Sequence, residues 1–179
     1  RQPDSAYLAL PEVSSETREY IPMAVLPETV IASNKLQIIT DAPLYYFGIL
    51  TSAMHMAWMR TVGGRLKSDY SYSPSIYNSF PWPTMTPPQQ ASIEALAQAV
   101  LDARASFKDT ELDVLYDRDS MPPTLRKAHA ALDKAVDKLY RRKGFAFERE
   151  RVEHLFELYE TSAAPMAAQG KKGRRKKAG

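Results

Sequence analysis

The sequence contains no cysteine. Disulfides and thiolate metal sites are excluded, which suits a cytoplasmic protein. Only three histidines are present, His55, His129 and His154, and they lie far apart. Each falls within a helical pattern without a partner at ligand spacing, so each is expected to pack rather than to bind metal. There is no run of eighteen apolar residues, hence no expected transmembrane helix and no membrane partner. The N-terminus, RQPDSAYLAL, lacks the apolar segment of a signal peptide. It begins with Arg1 rather than Met, as expected of a piece of a longer protein. Gly-x-Ser-x-Gly, the phosphate-binding P-loop and Gly-x-Gly-x-x-Gly are all missing. Five acids (Asp109, Glu111, Asp113, Asp117 and Asp119) cluster without the central Gly and final Glu of a calcium loop, and read as a solvated face. No catalytic residue and no metal site is expected.

Basic charge is also scarcer than the total suggests. The net charge is +3, but the last ten residues, GKKGRRKKAG, hold six of the 24 Lys and Arg and no acid. Without them 18 bases face 21 acids. The body is not a basic slab, so any nucleic-acid contact rests on locally sorted charges. Residues 163–179 are expected to be a disordered basic tail, because a block of like charges repels itself.

What is present reads as an α+β chain: a small antiparallel β region with a helix, followed by a C-terminal helical bundle. Residues 1–18 are polar with little period and read as loop. Strands are expected over Tyr20–Leu26, Val30–Ala32 and Leu36–Thr40, with Pro22 confining the first to an edge. A helix should start at Pro43 and end near Arg60, with Leu44, Phe47, Thr51, Met54 and Trp58 on its apolar stripe. Gly63-Gly64 then stops it. The composition changes near residue 84, which divides the chain into 1–83 and 84–162. Thr86 and Gln89 have capping-box spacing for a helix over 88–107. A short helix should follow near Leu112–Tyr116, a long one from Pro123 to about Arg142, and a fourth over about 148–160.

The densest concentration of unusual residues is GGRLKSDYSYSPSIYNSFPWP, from Gly63 to Pro83. A glycine pair can leave backbone amides free to form an anion-binding nest. Arg65 and Lys67 add positive charge, and Ser68, Tyr70, Tyr72 and Ser73 add hydroxyls, all usual contacts to DNA phosphates. Tyrosine also stacks on bases. The other reading is packing: Tyr72, Tyr77, Phe80 and Trp82 fixing the loop to the helix, with Asp69 pairing Arg65.

This stretch, preceded by FGILTSAMHMAWMR, resembles the target-recognition region of the MmeI-like type IIL restriction–modification enzymes. LYDRDSMPPTLRKAHAALDKAVDKLY and ERVEHLFELYE resemble the helical domain that ends those proteins. The resemblance spans about residues 12–160. It implies a DNA-recognition and positioning fragment of an N6-adenine methyltransferase, with double-stranded DNA and the methyltransferase domain of the same chain as partners. It also implies base readout by Glu16 and Arg18, with Tyr20 flanking them, and backbone contacts from Gly64, Arg65, Lys67, Ser68, Tyr70 and Tyr72. Arginine can pair with guanine O6 and N7, and glutamate can accept from cytosine N4. S-adenosylmethionine is implied for the parent enzyme but not for this fragment. The two Pro-Pro pairs follow Thr86 and Met121, so neither is the Asn-Pro-Pro motif that grips a flipped adenine. The fragment itself is expected to be catalytically inert. The rival reading is a non-enzymatic module whose helical half docks a protein partner.

Overall fold

The computed structural model describes residues 2–174, with side chains as far as Ser162. The basic tail expected over 163–179 lies outside the described side chains.

The N-terminal half holds two three-stranded antiparallel sheets. In the first, β1 (Tyr7–Pro11) is central, between β3 (Ala24–Leu26) and β4 (Leu36–Thr40). Tyr7 stands opposite both Leu26 and Thr40. The central strand therefore lies inside the stretch expected to be loop. Its four residues Tyr7–Leu10 are all buried, so it shows no polar–apolar alternation to mark it as a strand. Val30–Ala32, by contrast, forms no strand, and Ile31 is 81% exposed. The carbonyls of that region are bonded by side chains instead of a ladder. Gln2 Nε2 donates to Glu28 O and Val30 O, and the Tyr7 hydroxyl donates to Val30 O at 2.6 Å.

In the second sheet, β2 (Val13–Ser14) pairs with β6 (Asp69–Ser71), which pairs with β5 (Gly64–Leu66). Glu12 ties the sheets together. Its amide donates to Lys35 O at 3.0 Å and its carbonyl accepts from Tyr72 N at 2.7 Å.

The single helix expected over 43–60 is two: α1 (Leu44–Leu50) and α2 (Ala53–Val62). The break is at Ser52, whose backbone is extended. Its hydroxyl donates to Ile49 O at 2.6 Å, the local competition with the helix ladder that serine offers. Pro43 caps α1 and Gly63 caps α2, and a short α3 (Pro74–Ser79) follows the second sheet. Gly48 is where α1 nests on α4 (Pro87–Ala105): a Cβ there would lie 2.7 Å from Ile93 Cγ2.

The C-terminal half carries α4, the short α5 (Leu112–Leu115), α6 (Pro123–Tyr140) and α7 (Glu148–Arg174). The Thr86–Gln89 cap forms, with Gln89 Oε1 accepting from the Thr86 amide at 2.8 Å. Asp137 and Arg151 join α6 to α7 by a bidentate pair at 2.9 and 2.6 Å. The two halves share one core. Phe47, Met54 and Trp58 from the first half are buried with Ile93, Val100, Leu125 and Leu155 from the second. Each such side chain contributes about 1.5–3 kcal/mol of burial, so the halves should unfold together.

Candidate nucleic-acid interface

Glu16 and Arg18 sit on a tight turn that follows β2. Arg18 N donates to Ser15 O at 3.2 Å, and the hydroxyls of Ser15 and Thr17 are 2.9 Å apart. Both ends of the turn are anchored. Upstream, Ser14 is buried and pairs opposite Tyr70 in the second sheet. Downstream, Tyr20, Ile21 and Met23 are all in the core. Glu16 is exposed and Arg18 half-buried at the surface. Among the described residues no hydrogen bond or ion pair engages the Arg18 guanidinium, which is free to donate to a ligand.

The β5–β6 hairpin lies beside this turn. It reverses through Lys67 and Ser68, with Lys67 at φ 58°. Arg65 connects the two elements. Its Nη1 is 3.8 Å from Glu16 Oε2 and donates to Ser68 O at 2.9 Å, while its guanidinium carbon lies 4.0 Å from the Tyr70 ring centroid. The described contacts turn Arg65 toward Glu16 and Ser68, not toward Asp69. Glu16, Arg65, Lys67 and Ser68 are thus exposed on one surface with the Arg18 turn.

Four expected details are corrected. Tyr20 is 4% exposed; its hydroxyl donates to Asp133 Oδ2 at 2.6 Å, and its ring stacks on His129 at 4.0 Å. Burial and the Asp133 charge both push its phenol pKa up. Tyr72 is also interior, with its hydroxyl 3.0 Å from His55 Nε2. Tyr70 is buried beneath Arg65. These three tyrosines are interior, not exposed on the surface shared by Glu16, Arg65, Lys67 and Ser68. The glycine pair forms no nest either. Gly63 N donates to Met59 O at 2.8 Å, and Gly64 is in β5 opposite Ser71. Gly63 is needed sterically, because a Cβ there would lie 2.4 Å from Met59 O.

The sequence did not point to the second half's share in this site. A polar cleft of about 550 Å³ has Glu16, Thr17, Arg18 and Glu19 along one side. Arg60 of α2, Arg118, Arg126 of α6 and Glu148 of α7 complete it. Arg60 pairs with Glu148 at 2.5 Å and donates to Glu19 O at 2.9 Å. Arg126 pairs with Glu19 at 2.8 Å.

Beneath the turn runs a buried polar relay. Arg104, 8% exposed, donates to Met23 O at 2.5 Å and to the Tyr116 hydroxyl at 2.8 Å. That hydroxyl, already an acceptor, donates in turn to His129 Nε2 at 2.7 Å. His129 is thereby assigned the neutral form with its proton on Nδ1. Burial, with Arg104 alongside, lowers its pKa to about 3. Asp133 accepts from Tyr20 and, at 2.7 Å, from Ala53 N, the first amide of α2. Burial raises its pKa to about 6 against the lowering pull of those hydrogen bonds. The sequence signal for these residues was a charge within an apolar stripe: Arg104 after Ile93, Ala97 and Val100, and Asp133 beside Leu132.

Among the described residues no group of three or more His, Asp or Glu is arranged to hold a metal ion. No helix there is long and apolar enough to cross a membrane.

A model of the MmeI target recognition domain matches residues 1–84, and a model of the MmeI C-terminal domain matches residues 85–167. The DNA methyltransferase A of Bacillus subtilis (strain 168) is 43% identical over 154 residues, which is 86% of this chain and 17% of that protein. A solved structure of the type IIL restriction–modification enzyme MmeI in complex with DNA is 46% identical, with a TM-score of 0.88. It covers 92% of this chain, which in turn spans 22% of that one. The chain thus corresponds to about a fifth of the length of these relatives.

Proposed function

The chain belongs to the MmeI family, of which it carries the target recognition and C-terminal domains, and from that premise we propose that it reads and positions double-stranded DNA for an N6-adenine methyltransferase. The carrying observation is the anchored turn that presents Glu16 and an uncommitted Arg18 beside the exposed Arg65, Lys67 and Ser68. Arg18 suits guanine O6 and N7, and Glu16 suits cytosine N4, both in the major groove. Arg65, Lys67, Ser68 and the Gly64 strand suit the phosphate backbone, which fixes register without reading sequence. Tyr20, Tyr70 and Tyr72 act from below, holding these elements in place.

The methyltransferase domain of the same chain and its S-adenosylmethionine complete this reading. The residues here do not fit that cofactor. Both sheets are antiparallel, and the polar cleft is lined by arginines and glutamates. The contribution of this chain is to hold the duplex in register while an adenine is extruded elsewhere. A cytoplasmic location suits a DNA-acting role of this kind.

Titration with duplex DNA over a range of salt tests the reading. Arg65→Ala should weaken binding to all sequences alike and reduce the salt slope by about one. Loss confined to one base position would contradict a backbone role, and DNA binding confined to residues 170–179 would favour the protein-docking alternative.

A further inference from the structure

We infer that the C-terminal helical domain takes part in DNA binding directly, through Arg118, which forms a backbone-phosphate site in the cleft that Arg18 also lines. The inference rests on the DNA reading above and extends it to a domain that the sequence marked only as helical.

Three observations carry it. First, Arg118 and Arg18 line the same polar cleft, although 100 positions separate them in the sequence. Second, the other two arginines of the cleft are committed to protein carboxylates, Arg60 to Glu148 and Arg126 to Glu19. Among the described residues, nothing engages the guanidinium of Arg118, and its side chain is exposed. Third, the position of Arg118 is fixed by its backbone: Arg126 Nη2 donates to Arg118 O at 3.1 Å, so α6 sets where this cation sits. Two acids flank it outside the cleft lining: Asp117, whose Oδ1 is engaged by Asp119 N at 3.0 Å, and the exposed Asp119.

The partner follows from the geometry of the duplex. The major groove is about 12 Å wide and is walled by phosphates. With Arg18 on a base edge, a second free cation lining the same cleft meets a sugar-phosphate wall. A free guanidinium binds phosphate oxygens in a forked, charge-assisted pair. The cleft lining holds four arginines and three glutamates, so its charge matches about one phosphate, not a long track of backbone.

The test is duplex binding by the whole chain over a range of salt, comparing wild type with Arg118→Ala and Arg118→Lys. Lys108→Ala removes the same charge from outside the cleft and serves as the control. The Arg118 side chain makes no described internal contact, so these variants should fold, which circular dichroism checks. Arg118→Ala should weaken binding about five- to tenfold for every sequence and lower the salt slope by about one, with Lys restoring the slope. The control should do neither. An unchanged slope in Arg118→Ala, or a loss no larger than that of Lys108→Ala, overturns the inference while leaving the readout by Glu16 and Arg18 intact. A wild-type chain that binds no duplex overturns both.

Discussion

Acidification from pH 7 to pH 5 is expected to destabilise the protein by about 2–3 kcal/mol. The cause is the pair of buried histidines. Burial lowers the pKa of both His55 and His129 from 6.5 to about 3. In the unfolded chain each binds a proton below pH 6.5, whereas in the folded protein each stays neutral through this window. The stability they contribute is therefore present above 6.5 and lost as pH falls toward 3, at about 2 kcal/mol each by pH 5. The size hardly depends on how low the folded pKa lies, provided it is below 5. Asp133 acts in the opposite sense. Its folded pKa is raised from 3.8 to about 6, so its contribution is greatest below 3.8 and is lost as pH rises through 6. It returns about 1 kcal/mol on acidification and leaves the net loss stated. Denaturant unfolding at the two pH values measures this. His55→Gln and His129→Gln, whatever their own stability, should each remove about 2 kcal/mol of the pH-dependent loss. A pH response that neither substitution alters would contradict the assignment.

Asp133→Ala should cost about 3 kcal/mol, while Asp133→Asn should cost less than about 1 kcal/mol. Alanine leaves the buried Tyr20 hydroxyl and the first amide of α2 without their acceptor. Asparagine can still accept from Ala53 N through its oxygen and donate to the Tyr20 hydroxyl through its nitrogen. It also removes a carboxylate whose ionised form burial disfavours. The contrast separates hydrogen bonding from charge: equal losses for the two variants would show that the negative charge itself is what matters. Amide exchange at Ala53 should accelerate in the alanine variant and stay near wild type in the asparagine variant.

These residues explain what was legible in the sequence and what was not. The helices of the second half show regular apolar stripes and proline starts, and α4 to α7 begin close to their expected positions. The β region was harder to read. Tyr7–Leu10 is buried throughout and shows no alternation, while Val30–Ala32 is β-branched but has no strand to pair with. The break at Ser52 was hidden because the apolar stripe runs through it; what enforces it is local serine bonding and the bond from Ala53 N to Asp133, 80 residues further on. The family resemblance singled out Glu16 and Arg18, and the structure places them on an accessible turn. The resemblance set Tyr20 beside that pair, and residue type suggested that Tyr70 and Tyr72 would contact a ligand, with packing as the other reading for Tyr72. Only tertiary packing shows that they support the turn and hairpin from inside. The arginines at 60, 118 and 126 carry no local pattern and meet only when the two halves fold on one core.

Readout by the Glu16–Arg18 turn is tested most directly by selection from a randomised duplex library, sequenced for wild type and for Arg18→Ala. The wild-type chain should enrich a defined sequence. The variant should lose its preference at one base pair, by about 1–3 kcal/mol or roughly five- to 150-fold, and keep it at the others. An identical enriched sequence for both proteins, or a uniform loss of binding without any change in base preference, would contradict readout by Arg18.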